Sequence, residues 1–475
     1  LLQAQEEARD DELRRIIREN QQAEVEIPFP GRGELKRISS DFSISSVDEK
    51  KVSIRLSPLT ADLFISRNYD YSMAGLPARK GILSSASFGE ALSWNVYPTY
   101  LQYDSIMRSF QSRFPELCHL DTIGLTNYGK QVLVLKISDN HGADEDEPEV
   151  FYTSSMHGDE TGGFILMLRL CDYILANYST SSRIRNLVDN LEIWINPLAN
   201  PDGMYRTGNL MSNPTRFNAY GYDLNRNFPD PLVASVTLQK ETVDMMKFLA
   251  ERRFVLSANF HSGSEVVNYP WDRWLEKKHA DDLWFYLISR AYADTVHAWA
   301  TPGYMTELDN GVTRGAVWYV ITGGRQDYVT WDLRGREVTI ELDNDFITPV
   351  SQLESLWQWN YRSLLSYIEN ALFGIHGHVE DALTGNPVPA VISIPGYDKD
   401  NSQVYSDSLT GRYTRLLNPQ AWTLKFSAAG YLDTTIYNIP VFAGQRTLLD
   451  VRMVPLVNAI DTTNPVEPVL YPNPA

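Results

Sequence analysis

Residues 150–178 read VFYTSSMHGDETGGFILMLRLCDYILANY. Val150 to Thr153 form a short β-branched and aromatic run, the length of a buried strand. From Gly163 to Tyr178 the apolar positions return at helical spacing. Between them lies a polar turn that holds His157, Asp159 and Glu160. Strand, polar loop and helix in that order make part of an α/β unit. In open α/β sheets, ligands bind where such loops leave the strand ends.

The same texture extends outward. Val132 to Ile137, Leu191 to Ile195, Phe254 to Phe260 and Val338 to Leu342 are further short apolar runs, several of them separated by helical patterns. They predict an α/β domain over residues 87–373, with a mostly parallel or mixed sheet flanked by helices. Upstream, residues 1–24 read as a charged, mostly exposed helix. Residues 25–86 hold short alternating runs such as Val52 to Leu56, so 1–86 is read as a helix with a small α/β subdomain. Ser84 to Ser87 is a small-residue stretch suited to a linker. Beyond Phe373, Ala421 to Phe426 and Leu449 to Met453 alternate with period two, and turns such as Thr384-Gly385-Asn386-Pro387 separate such runs. Residues 374–457 therefore read as a small all-β sandwich. Residues 458–475, rich in Pro and Asn, read as a linker.

Composition sets limits. A chain of 475 residues exceeds one ordinary core, which favours several domains. With 43% hydrophobic and 21% charged residues it folds rather than staying disordered. The net charge of −18 argues against a nucleic-acid partner, because phosphate is repelled at long range. No apolar run approaches the roughly 20 residues of a membrane helix, so no membrane span is expected. Leu1 to Gln22 are too charged for the apolar region of a secretion signal. Cys118 and Cys171 are read as buried thiols in preference to a disulfide.

Three clusters could carry chemistry. His157 and Glu160, three residues apart, can reach one metal from a single turn, and His261 could supply a third ligand. Alone, such a His-x-x-Glu spacing is weak. Arg216 and the run Asp223 to Asp230 place two arginines where they could bind a carboxylate and polarise a carbonyl; a salt-bridged surface loop is the plainer reading. Glu341 sits near the end of an apolar strand, where a carboxylate is either structurally paired or tuned for proton transfer. Taken alone, the structural reading comes first.

Together the clusters resemble the zinc metallocarboxypeptidase family that includes carboxypeptidase A, and within it the carboxypeptidase N/E branch. The matching segments are His157 to Glu160, Asn196 to Gly203, Asp223 to Asp230, His261-Ser262-Gly263, Gly323 to Tyr328 and Thr339 to Leu342. The resemblance runs from about Tyr97 to about Ile460. It implies a zinc-dependent exopeptidase acting on the C-termini of peptides and proteins, with one Zn2+ held by His157, Glu160 and His261. It implies Glu341 as the general base that activates the attacking water, and Arg216 as the group that polarises the scissile carbonyl. Asn225 and Arg226 become the clamp on the substrate's terminal carboxylate, and Tyr319 the mobile tyrosine that closes over it. Asp272 falls where this branch places an acidic residue in the pocket for the departing side chain, and Gln326 matches a second polar lining residue. A carboxylate there favours C-terminal Lys or Arg, since an unpaired buried charge costs several kcal/mol. The 374–457 sandwich looks like the branch's transthyretin-like domain.

Two departures stand out. Asp159 occupies a position where many relatives have Asn, and Arg325 stands beside Gln326 where an apolar residue is common. Arg325 is expected to point away from Asp272. His376 and His378 alternate on one strand face, which reads as polar strand surface rather than a second metal site. Leu470 to Ala475 looks like the opening of a C-terminal sorting domain used for secretion in the Bacteroidetes, which implies a secreted or cell-surface bacterial protein. On that reading 25–86 is an added segment, read as a structural subdomain in preference to a propeptide. The competing functions are a same-family enzyme for peptidoglycan stem peptides or acidic C-termini, and an inactive peptide-binding relative. The second would be expected to lack a ligand or Glu341.

Overall fold

A computed structural model describes residues 2–75, 82–143, 145–233, 237–456 and 469–471. Strands β1 (Ala23–Pro28), β2 (Ser43–Val47), β3 (Lys51–Leu56) and β4 (Ser72–Ala74) form an antiparallel sheet in the order β2-β3-β1-β4. Helices Arg32–Asp41 and Ala61–Ser66 connect its strands. The first helix, Leu2–Asn20, is not merely exposed: Leu13 and Ile17 lie on one face, four residues apart, and are buried with Val25, Ile54 and Phe64. Helix and sheet thus share one core, separate from that of the following body.

Ser84 to Ser87 does not act as a linker. Ser84 bridges to Tyr97, the Ser85 amide donates to Tyr97 O, and the Ser85 hydroxyl donates to Gln102 Oε1. The stretch is fixed to the second body by satisfied polar groups, so the division between the two falls before it.

That body contains an eight-stranded mixed sheet. Its strands are β5 (Cys118–Leu125), β6 (Gln131–Ile137), β7 (Glu149–Ser154), β8 (Glu192–Asn196), β9 (Phe254–His261), β10 (Ser264–Tyr269), β11 (Val312–Arg314) and β12 (Arg336–Asp343). The order is β11-β10-β12-β9-β7-β8-β6-β5, and the central β12, β9, β7 and β8 run parallel. β7 and β8 are buried along their whole length because helices cover both faces, which is why they read as continuous apolar runs. Helix Gly162–Asn177 packs with Val150 and Tyr152 on one face; helix Lys240–Glu251 packs with Phe151 and Trp194 on the other. The chain passes from β7 to its neighbour β8 on one side and then back across β7 to β9 on the other, and a crevice opens at the C-terminal ends of β7 and β9. Cys118 and Cys171 are buried free thiols.

The C-terminal strands are β13 (Gly374–Asp381), β14 (Val391–Ser393), β15 (Val404–Tyr405), β16 (Arg412–Arg415), β17 (Gln420–Ser427), β18 (Thr434–Val441), β19 (Arg446–Met453) and β20 (Val469–Tyr471). They make two four-stranded sheets, β16-β13-β19-β20 and β15-β14-β17-β18, around an apolar core of their own. His376 is buried, its ring nitrogens bonded to Phe373 O and Thr414 Oγ1, whereas His378 pairs with Asp146 and Asp450. The two rings do not share a site. Residues 457–468 and 472–475, which hold most of the linker and sorting-tail reading, lie outside the described residues. No helix among the described residues is long and apolar enough to cross a membrane.

A buried charge network joins the sandwich to the central body. Asp281 accepts from Arg336 of β12 at 2.7 Å and from Arg415 of β16 at 2.6 Å, and Arg415 also donates to Asp398. Burial opposes ionisation of Asp281, but the two guanidiniums hold its carboxyl well below the usual range. Asp281→Ala would leave two buried cations underpaired. Urea unfolding should register a loss of about 3–5 kcal/mol; an unchanged midpoint would show that the network adds nothing to stability.

Candidate active site

Three strand ends converge in the crevice. β7 leads into Ser155, whose φ of 56° turns the chain sharply before His157. That strained turn is held by the Ser155 hydroxyl, which donates to Glu160 O at 2.8 Å. β9 ends on His261, and Glu341 of β12 is its cross-strand neighbour in the parallel register. His157, Glu160 and His261 are all buried.

Their donor atoms face one another. His157 Nδ1 lies 2.8 Å from Glu160 Oε1, His261 Nδ1 lies 2.7 Å from Glu160 Oε2, and the two Nδ1 atoms are 3.0 Å apart. A single proton satisfies only one such nitrogen pair. A divalent cation accepts both imidazole lone pairs and the carboxylate together, and two nitrogens with one carboxylate oxygen suit zinc.

Asp223 ties this group to its surroundings. Its Oδ1 lies 3.0 Å from His157 Nε2 and accepts the Asn225 amide; its Oδ2 accepts from Arg216 Nε at 2.9 Å. It therefore fixes His157 with Nδ1 turned inward. Arg216 also reaches Glu160 Oε1 at 3.1 Å through Nη1. Glu341 is half-buried, with its Oε2 atom buried and unpartnered. Burial, and then the nearby Glu160 carboxylate, push Glu341 well above the usual carboxylate range, with Arg216 acting against them. A cation on the His157–Glu160–His261 group pulls the same carboxyl back down.

The remaining sequence candidates line the same cleft. Arg226 donates through Nη1 to Asn225 O, and its buried Nε and Nη2 atoms have no partner. Tyr319 follows the short helix Gly315–Trp318, half-buried. Asp272 is buried and accepts from Asn268 Nδ2 and Gln326 Nε2, both at 3.0 Å. It makes no ion pair among the described residues. Gly315 lies against it, so a Cβ at that position would collide with Asp272 Oδ1. Burial pushes the Asp272 carboxyl up to about 6, with Asn268 and Arg226 opposing. Gln326 is the exception: it touches Asp272 from behind and does not itself line the cleft. Arg325 points away, donating to Glu337 Oε2 at 2.9 Å beneath the sheet.

Sequence reasoning gave no role to Asp223, although it stands two residues before Asn225 in the run already singled out. It also missed Asp327, which accepts the backbone amides of Asp272 and Arg273 and so sets the loop that presents Asp272. Contacts from the first subdomain were missed entirely; no local pattern announces them.

Residues 103–363 match the zinc carboxypeptidase family. The chain belongs to that family of peptide hydrolases. It is 31% identical to the human carboxypeptidase N catalytic chain over 408 residues, covering 76% of this chain and 87% of that relative. It is 35% identical to human carboxypeptidase D over 346 residues, which is 69% of this chain but 25% of that protein's length. The crystal structure of carboxypeptidase A from Helicoverpa armigera shares the fold, with a TM-score of 0.59 at 19% identity over 74% of this chain and 97% of that one.

If Asp223 orients His157, Asp223→Asn should weaken zinc binding about 10- to 100-fold in competition with a chromophoric chelator. Unchanged affinity would assign Asp223 to Arg216 alone.

Proposed function

We propose that this chain is a zinc-dependent exopeptidase that removes single residues from peptide and protein C-termini, preferring Lys and Arg. The observation that carries this reading is the pairing of two unmet charges in one cleft. Arg226 offers a guanidinium edge without a partner, and Asp272 offers a buried carboxylate without a cation. A C-terminal Lys or Arg has the two complementary charges, one on its carboxylate and one on its side chain. An internal residue has no carboxylate for Arg226, which makes the site an exopeptidase site. An acidic side chain would meet Asp272 with like charge.

His157, Glu160 and His261 would hold the zinc, which when bound acts as a Lewis acid and makes water nucleophilic at neutral pH. Glu341 takes the proton of the attacking water and passes it to the leaving amine. Its buried, unpartnered Oε2 atom is free to take up a proton. Arg216 stabilises the charge that develops on the carbonyl oxygen. Asn225 and Arg226 grip the terminal carboxylate, Tyr319 closes over it, and Gln326 steadies Asp272. All three metal-ligand candidates and Glu341 are in place, which supports an active enzyme over a binding-only relative. We also read residues 87–373 as the catalytic domain, 374–457 as a transthyretin-like domain, and the protein as exported, the last from the Leu470 to Ala475 resemblance alone.

The test is hydrolysis of matched peptides ending in Arg, Lys, Leu and Glu, with and without a chelator. Both the intact chain and the chain trimmed by limited proteolysis should be assayed, since Ile44 and Ser45 border the cleft. Chelator-sensitive release of Arg or Lys is expected, and Glu341→Gln should lower kcat by about 100-fold or more. Release of Leu or Glu instead would overturn the pocket assignment.

Two outcomes isolate Asp272. Asp272→Asn should cut kcat/KM for Arg peptides at least about 30-fold, the roughly 2 kcal/mol lower end for breaking a buried charge pair, and spare Leu peptides. The Arg-to-Leu ratio of kcat/KM should fall as pH drops through about 6, because protonation removes the charge that attracts the cation. Taking the ratio cancels the titration of Glu341, and a flat ratio would sink the assignment.

A further inference from the structure

The joint between the central body and the C-terminal sandwich leaves a cavity of about 400 Å³. Small-molecule pockets run from roughly 300 to 1,000 Å³. The cavity abuts Glu149, Phe254 and Arg336, the first residues of β7, β9 and β12. His157, His261 and Glu341 lie toward the opposite ends of those strands. The length of β9, Phe254–His261, puts roughly 20–25 Å between the two places. The cavity is therefore separate from the active cleft.

Its charge runs against that of the chain. Five arginines and two carboxylates line it, whereas the whole sequence has 42 basic and 60 acidic residues. Two of the arginines are answered from outside the lining, Arg253 by Asp407 and Arg336 by Asp281. Arg412 stands 3.7 Å from Glu149 and donates to Glu145 O. Arg252 rests 4.6 Å above the Trp194 ring, and Arg334 lies 6.0 Å from the Tyr405 ring on the sandwich side. Neither makes an ion pair among the described residues, and the buried Nε of each has no hydrogen-bond partner. Of the two carboxylates, Asp332 is exposed, and Glu149 is buried with Oε2 unpartnered. Burial, and then the Glu192 carboxylate, push Glu149 up to about 7, with Arg412 opposing. Glu149 thus offsets the arginines only in part. Like charges gathered in a confined space are unfavourable until an anion answers them.

The walls stand in place before a ligand arrives. Arg253 crosses the joint to Asp407 and to Ser406 O, and Asp281 ties Arg336 to Arg415. A pre-formed pocket loses little entropy on filling. Arg252, Arg334 and Arg412 enter from three segments: the end of helix Lys240–Glu251, the turn before β12 and the start of β16. Guanidiniums from several directions suit the tetrahedral oxygens of a phosphate or sulfate group, whereas the two coplanar oxygens of a carboxylate are met by a single guanidinium fork. Phe254, Val329, Val404 and Leu416 add a buried apolar wall.

We propose that this joint binds a small organic phosphate or sulfate ester, with the oxyanion among Arg252, Arg334 and Arg412 and the organic part against the apolar wall. The ester bridges the two domains, because Arg252 and Arg334 belong to the body and Arg412 to the sandwich.

The test is isothermal titration of the full chain with phenyl phosphate, phenyl sulfate and phenol at matched ionic strength. The two esters distinguish phosphate from sulfate, and phenol keeps the ring without the charge. At least one ester should bind with Kd below about 1 mM and at least about 10-fold more tightly than phenol. Arg334→Gln should weaken that ester at least about 10-fold, as for the loss of one charged hydrogen-bond donor. Ser408→Glu adds a negative charge at an exposed position of the rim, so it tests the site without disturbing a buried group. It should weaken the same ester about 5-fold. Absence of binding by both esters at about 10 mM, phenol binding as tightly as the esters, or an unchanged Kd in both variants would overturn the proposal.

Discussion

Three buried donor atoms, the Nδ1 atoms of His157 and His261 and the Glu160 carboxylate, converge within about 3 Å of one another, and only a shared cation makes that convergence favourable. The surrounding fold is arranged to hold it. β7 and β9 must be adjacent and parallel so that their ends deliver His157 and His261 to one point. β12 must pair with β9 in register so that Glu341 stands beside His261. A one-residue slip of β12 would turn Glu341 to the opposite face. Long apolar runs in β7, β8 and β9 secure the register because both faces of the sheet are covered.

Charge is handled locally in a chain whose net charge is −18. Asp223 answers His157 and Arg216, Glu337 answers Arg325, and Asp281 answers Arg336 and Arg415. Asp272 and Arg226 make no ion pair among the described residues, and both line the cleft. The proposed specificity uses these unpaired charges. Asp159 shows the reverse case: its charge is met by Arg55 from another subdomain, so electrostatics link the loop of His157 and Glu160 to the first subdomain.

Much of this is legible in the sequence because it is local or periodic. The runs at Val132, Val150, Leu191, Phe254 and Val338 become strands because buried parallel strands need continuous apolar character. The ligand candidates are legible because His157 and Glu160 share one turn and several motifs occur in a set order. Strands with half-exposed faces are less visible: β5 mixes His119, Asp121 and Thr122 with apolar residues and gave no such signal. Burial of Leu13 and Ile17 was obscured by the charges around them. Ser84 to Ser87 looked like a linker because composition does not reveal which backbone groups find partners. Nothing in the sequence near Arg55 or Ser43 marks their contact with Asp159 and Asp223, since those pairs are set by how two separately folded cores dock.

The most direct test is X-ray absorption at the zinc edge, with metal content, on the full chain and on His261→Ala. The account predicts one zinc per chain with a first shell of two imidazole nitrogens and carboxylate oxygen at about 2.0–2.2 Å. In His261→Ala, one imidazole should be missing and affinity lost. A shell containing sulfur, or an unchanged shell in the variant, would contradict the site from which every other assignment follows.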